Sequence, residues 1–239
     1  MFGDRWVTRR IALLPLVAVA AAGALLAPGL SAQDAAARLE GALERMDGTS
    51  ARLEMNATSQ LRGSSALGGG FSRTVHAVGE LVPPDRVHLM LDGAGRLLEL
   101  VVVGHKMWVD AGDGLRLASG VPLGPLAEPQ APLRFIRGPG SAGFAGLGIS
   151  RGMPTYRVRM ELDAFELQAR LRTDQAVDPD AFGAIEVEIG LFDGLIRRQS
   201  FEVVEPADPF SGTGLETART VYTIEYWDHG GRLEVREPD

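Results

Sequence analysis

Four histidines, His76, His88, His105 and His229, are the side chains best suited to proton transfer or metal ligation near neutral pH. Their spacing serves neither role, and no HExxH pattern occurs. A turn at Pro83-Pro84-Asp85 would set Val82 opposite Arg86, Glu80 opposite His88 and His76 opposite Asp92, a ladder of cross-strand charge pairs on a wet face. His105 and His229 fall in turn sequences and are expected at the surface. Serine offers no nucleophile elbow, because Pro139 precedes Gly140-Ser141-Ala142-Gly143 where the first glycine would stand. Gly146-Leu147-Gly148 lacks the strand-turn-helix setting of a phosphate loop. The carboxylates mostly alternate onto outer strand faces, as solvated groups do. With no cysteine, disulfides, thiolate metal sites, cysteine nucleophiles and an acylated N-terminal cysteine are all excluded. The chemistry-bearing residues therefore predict no catalytic site, metal or cofactor, and a hydrolase is the weakest reading.

Composition narrows the class further. The chain of 239 residues is 45% apolar, sufficient for a substantial core, and one domain is the default. A formal charge of -7 argues against nucleic acid as a partner. Lys106 is the only lysine among 24 basic residues, an arginine bias typical of a GC-rich bacterial genome. Residues 1–32 have the parts of a secretory signal: Arg5, Arg9 and Arg10, then an apolar run from Ile11 to Leu26, then the small residues Ser31-Ala32 before Gln33. The apolar run approaches the ~20 residues that span a bilayer, so an uncleaved anchor is the alternative. Either way, residues 33–239 are expected outside the cytoplasmic membrane, in the periplasm or an equivalent extracytoplasmic space.

The elements are legible from periodicity. Asp34 is placed to cap a helix to Met46, with Leu39, Leu43 and Met46 on one stripe. From Ala51 to Arg62 apolar and polar residues alternate, as in a strand with one buried face. The pattern continues through Phe71–Val82, Arg86–Asp92 and Arg96–Val103, and a II′ turn at Gly104-His105 sets Val102 opposite Met107, Val101 opposite Trp108 and Leu100 opposite Val109. Residues 111–152 are rich in Gly and Pro and predict a loop or lid, with short helical turns at Leu133–Arg137 and Ala142–Leu147. Strands resume at Thr155–Leu162, followed by a helix capped by Asp163 with Ala164, Leu167 and Leu171 in a stripe. Ala184–Phe192, Leu195–Val204, Arg219–Asp228 and Arg232–Arg236 complete about ten strands in an antiparallel meander.

Four stretches in this order, VPPDRVHLML, VVVGHKMWVDAGDG, GAIEVEIGLFDGLIRRQSFEV and TVYTIEYWDHGGRLEVREP, resemble the LolA-like superfamily of periplasmic lipoprotein carriers and LppX/LprG-type lipid-binding lipoproteins. The resemblance implies an α+β fold: a strongly curved antiparallel sheet forming a half-open barrel, with helices over its concave apolar face and a cavity for acyl chains. Two features depart from it, the missing lipobox cysteine and the Gly/Pro-rich middle segment. The apolar strand positions Leu53, Met55, Leu89, Leu91, Leu100, Val102, Met107, Tyr156, Val158, Met160, Val187, Ile189 and Ile224 are the candidate cavity lining, or else an ordinary core under the helices. The expected function is a monomeric envelope protein that binds or carries a lipid or an acylated lipoprotein. The alternative is an envelope sensor of the same fold that engages a protein partner and holds no lipid.

Overall fold

Alternation of the expected kind builds an antiparallel sheet with one apolar face. The computed structural model describes residues 31–63, 71–93, 95–118, 131–137, 141–171, 178–206 and 215–238. All but the last two residues of the expected signal segment, and residues 119–130 and 138–140 of the expected lid, lie outside the described residues. The strands are β1 (Ala51–Gly63), β2 (Phe71–Val82), β3 (Arg86–Gly93), β4 (Arg96–Val103), β5 (Lys106–Asp110), β6 (Arg116–Leu117), β7 (Ala142–Ser150), β8 (Met153–Leu162), β9 (Phe182–Gly190), β10 (Ile196–Pro206) and β11 (Leu215–Trp227). The helices are α1 (Ala32–Asp47), α2 (Ala131–Ile136) and α3 (Ala164–Leu171).

All eleven strands join one sheet in the order β6-β5-β4-β3-β2-β1-β11-β10-β9-β8-β7, every pair antiparallel. Two meanders, β1 to β6 and β7 to β11, are fused by the β1–β11 ladder, which sets Leu53 opposite Tyr226 and Met55 opposite Ile224. The sheet is curved and unclosed, with β6 and β7 as its edges. The local registers follow the turn chemistry. Val82 pairs with Arg86, Glu80 with His88 and His76 with Asp92. Beyond Gly104, whose φ is 63°, Val102 pairs with Met107 and Val101 with Trp108.

Helix α1 opens with a capping box. Ser31, not Asp34, is the N-cap: its hydroxyl accepts from the Asp34 N–H, and the Asp34 carboxylate accepts from the Ser31 N–H at 3.0 Å. Ala35, Leu39, Ala42, Leu43 and Met46 form its buried stripe, and the helix lies against β7, β9 and β10. Helix α3 packs on β8 and β9 and meets α2. The Arg170 guanidinium of α3 donates to the carbonyls of Phe135 and Arg137 at the end of α2. Leu133 and Ile136 of α2 are buried in the main core, and the Phe135 ring lies 5.0 Å from that of Phe201.

The structure corrects three further expectations. Ala142–Leu147 is strand, not a helical turn, because it pairs with β8. Its glycines mask the strand pattern while permitting close approach and a bulge: Gly146 has φ 119°, and a Cβ on Gly148 would sit 2.9 Å from Thr155 Oγ1. Arg232–Arg236 is not a strand, since both edges of β11 are already paired with β1 and β10. This tail instead lies on the outer face, where Val235 is buried with Val101 and Trp108 and Arg86 donates to the Val235 carbonyl. His229 is half-buried rather than exposed.

Candidate functional site

The registers bring the apolar strand positions to one face. Met55 lies between Ala77 of β2 and Ile224 of β11, Leu89 pairs with Leu100, and Leu91 with Leu98. On the other half, Tyr156 pairs with Ile189, Val158 with Val187 and Met160 with Ile185. Leu53, Met55, Leu89, Leu100, Val102, Tyr156, Val158, Met160, Val187, Ile189 and Ile224 are buried in a single cluster with the stripe of α1, and Leu91 and Met107 pack on it half-buried. Val158 and Val187 have no exposure at all, so the centre of this face is filled by the protein's own side chains. Leu91, Met107, Val109 and Tyr222 are only partly covered, so the packing loosens away from that centre.

Besides the hydroxyl of Tyr156, two polar groups interrupt this apolar face. Gln199 pairs with Ile224 across β10 and β11 and is 6% exposed, and Tyr226, two residues further along β11, is 1% exposed. The Gln199 Oε1 and the Tyr226 hydroxyl have no hydrogen-bond partner among the described residues. Burial drives the Tyr226 phenol far above its ordinary pKa, so it stays a neutral donor. Buried polar atoms are nearly always satisfied, and leaving one unmade costs ~1–3 kcal/mol. This pair can therefore hydrogen-bond a polar group brought into the face.

The outer face carries charge. His76 and His88 sit in the expected register, but their imidazoles reach diagonally to other strands. His76 Nε2 lies 3.2 Å from Glu54, and His88 Nε2 lies 2.8 Å from Glu99. Arg151 bridges Glu54 and Glu225 at 2.9 and 3.1 Å and stacks over Trp227. Among the described residues no group of His, Asp and Glu could hold a metal ion, and no helix is long and apolar enough to cross a membrane.

The surroundings of His229 favour its neutral form. Its Nδ1 accepts from Arg197 at 2.8 Å while Nε2 donates to the Ile196 carbonyl at 3.0 Å. Desolvation, then the charge of Arg197, hold its pKa below the ordinary value, although the hydrogen bond to the Ile196 carbonyl, then Asp193 and Asp228, oppose the shift. The unfolded chain then binds the proton more readily than the folded one. The resulting contribution to stability is full above ~6.5, is lost as pH falls through the lower folded value, and is constant below that. The imidazole signals of His229 should titrate below pH ~6.5 in an NMR series, and His229→Gln should flatten the stability profile in that window. A folded-state midpoint at or above the ordinary value would contradict this geometry.

A cleft of about 500 Å³ opens between α1 and the β9–β10 turn. Arg38, Gly41 and Arg45 line it from the helix, Tyr156 lines its floor, and Leu191 to Gly194 form the far wall. The Arg38 guanidinium lies 4.6 Å from the centroid of the Tyr156 ring. Sequence periodicity identifies these arginines only as polar positions off the apolar stripe of α1.

An unclosed antiparallel half-barrel with helices on its concave face is a fold that the chain shares with a solved structure. Among solved structures the chain is similar to lipoprotein LppX of Mycobacterium tuberculosis, with TM-score 0.54 and 12% identity over 84% of this chain and 97% of that one. It also aligns with LprF of Mycobacterium bovis, with TM-score 0.46 and 12% identity over 86% and 97% of the two chains. A LolA-superfamily protein of Nitrosomonas europaea aligns with TM-score 0.28 and 11% identity over 86% and 94%. The fold assignment rests on the first of these. No family model matches the sequence, and no curated protein matches it.

Proposed function

We propose that the protein binds or carries lipid, or the acyl chains of a lipoprotein, in the cell envelope, and that the concave face of the half-barrel receives them. The observation that carries this reading is the convergence of the apolar strand positions on one face of an unclosed sheet, roofed among the described residues by three helices. The likeness to LppX, itself a lipoprotein, supports it. The signal-like N-terminus and the order of the four sequence stretches support a location outside the cytoplasmic membrane. Opening the face by displacing α1 or α2 would let an acyl chain replace side-chain contacts. Each buried CH₂ contributes about 0.8 kcal/mol, so a sixteen-carbon chain brings on the order of 10 kcal/mol before ordering costs. Gln199 and Tyr226 would then meet the ester or hydroxyl group at the head of that chain.

The closed centre of the face favours a second reading, an envelope interaction module of the same fold that holds no lipid. Native mass spectrometry of protein purified from its own envelope, with lipid extraction of the same sample, separates the two. Lipid binding predicts a stoichiometric acyl adduct and a gain of roughly 5–10 °C in Tm at lipid well above Kd. An apo mass together with an unmoved Tm would instead favour the interaction module.

A further inference from the structure

The cleft beside α1 carries two cations that form no ion pair among the described residues, although the Asp34 carboxylate, one turn before Arg38, shares its field. Arg38 and Arg45 are seven residues apart on one helix face, and both line it. Among the described residues no carboxylate lies within 4.0 Å of either guanidinium, whereas exposed arginines such as Arg52, Arg137, Arg151 and Arg219 are paired. The two acids of the cleft are already engaged. Asp34 closes the capping box with Ser31, and Asp193 is paired with Arg197. Arg45 bonds the Gly41 carbonyl through Nη1 at 2.9 Å, and Arg38 lies over the Tyr156 ring, which leaves other N–H groups of both free to donate. The small residues Ala37, just before Arg38, and Gly41, between the two arginines, keep the cleft open.

The rim of this cleft is apolar where solvent should favour polar residues. Phe192, at the tip of the β9–β10 turn, is 77% exposed, and Leu191 beside it is also exposed. The Leu191 N–H donates to the Pro154 carbonyl, which brings the β7–β8 turn alongside with its exposed Ile149 and Met153. Unpaired arginines beside a projecting aromatic and aliphatic rim match the chemistry of an anionic bilayer surface, where apolar groups enter the acyl boundary and cations meet phosphates.

We propose that this cleft is a headgroup site for the phosphate of an anionic lipid, with Arg38 and Arg45 as its donors and Phe192 as the residue that enters the bilayer. The proposal builds on the lipid-binding reading and adds the class of membrane at which lipid is taken up or delivered. The test is co-sedimentation of the full chain with phosphatidylcholine vesicles, with and without phosphatidylglycerol. Each cation near an anionic surface is worth about a factor of five, so Arg38→Gln with Arg45→Gln should weaken binding to the anionic vesicles roughly thirty-fold. Arg38→Lys with Arg45→Lys should restore much of it. Arg116→Gln with Arg159→Gln, the same charge change elsewhere, should leave it near the wild-type level. Phe192→Ser should weaken vesicle binding without changing the preference for anionic lipid.

Equal binding to neutral and anionic vesicles would overturn the headgroup site, and an acyl adduct persisting in the mass spectrum would show that the lipid-binding reading survives without it. Full competition by inorganic phosphate at concentrations matched to the lipid phosphate would overturn the lipid as source and leave a free-phosphate site. Unchanged binding by the glutamine variants, with circular dichroism confirming their fold, would also overturn it.

Discussion

Gly79→Ala is expected to destabilise the protein by about 3 kcal/mol, at the upper end of the range for overpacking, and to lower Tm by roughly 6–12 °C. Gly79 lies on β2 between Leu53 of β1 and Leu89 of β3. A Cβ there would stand 1.9 Å from the His88 carbonyl oxygen and 2.8 Å from Leu89 Cδ2. The leucine can change rotamer, but the carbonyl belongs to the backbone of β3 and can move only if the two strands part. Parting them disturbs a ladder that holds Leu81 against Val87 and Ala77 against Leu91 on the buried face. Thermal unfolding followed by circular dichroism measures the effect. A Tm within about 1 °C of wild type would mean that the sheet tolerates a methyl group here and that the packing argument is wrong.

Met46→Ala should cost ~2–5 kcal/mol through loss of transfer energy and the cavity left behind. Met46 has no exposure and ends the stripe by which α1 covers the concave face. Its loss loosens the last turn of the helix at the point where Asp47 is held by Arg137. The Tm should fall by on the order of 10 °C, and binding of an apolar dye such as ANS should rise as the face is uncovered. Glu44→Ala, on the exposed side of the same helix, should change stability by no more than ~0.5 kcal/mol. A large fall in Tm without added dye binding would separate helix stability from access to the face. In the lipid-binding reading, Met46→Ala should also exchange bound lipid faster than wild type.

The fold was readable wherever a structure-setting signal lay close in sequence. The alternation of Leu53 and Met55 with Glu54 and Asn56 assigned faces correctly, because side chains of a strand point to opposite sides in turn. Gly104 and the Pro83-Pro84 break fixed two registers to the residue, because a short turn leaves the flanking strands one way to pair. The same reasoning failed in β7, where glycines supply no side chains to alternate, and in the C-terminal tail, where a plausible hairpin partner had no free strand edge to join. It also gave the histidines their opposite neighbours but not their true partners, since a diagonal contact depends on sheet twist and rotamer.

The candidate site divides along the same line. By itself the sequence determined the apolar strand positions, the stripe of α1, the absence of thiol chemistry and the acidic balance, all of which follow from residue type and short-range period. The tertiary structure alone decided that β1 pairs with β11, that the Gln199 Oε1 and the Tyr226 hydroxyl are enclosed without a hydrogen-bond partner among the described residues, and that Arg38 and Arg45 face the turn at Leu191 to Gly194. These features join residues as distant as Leu53 and Tyr226. Such pairings are selected by burial summed over the whole sheet against the entropy of closing the chain, a balance that no local period records.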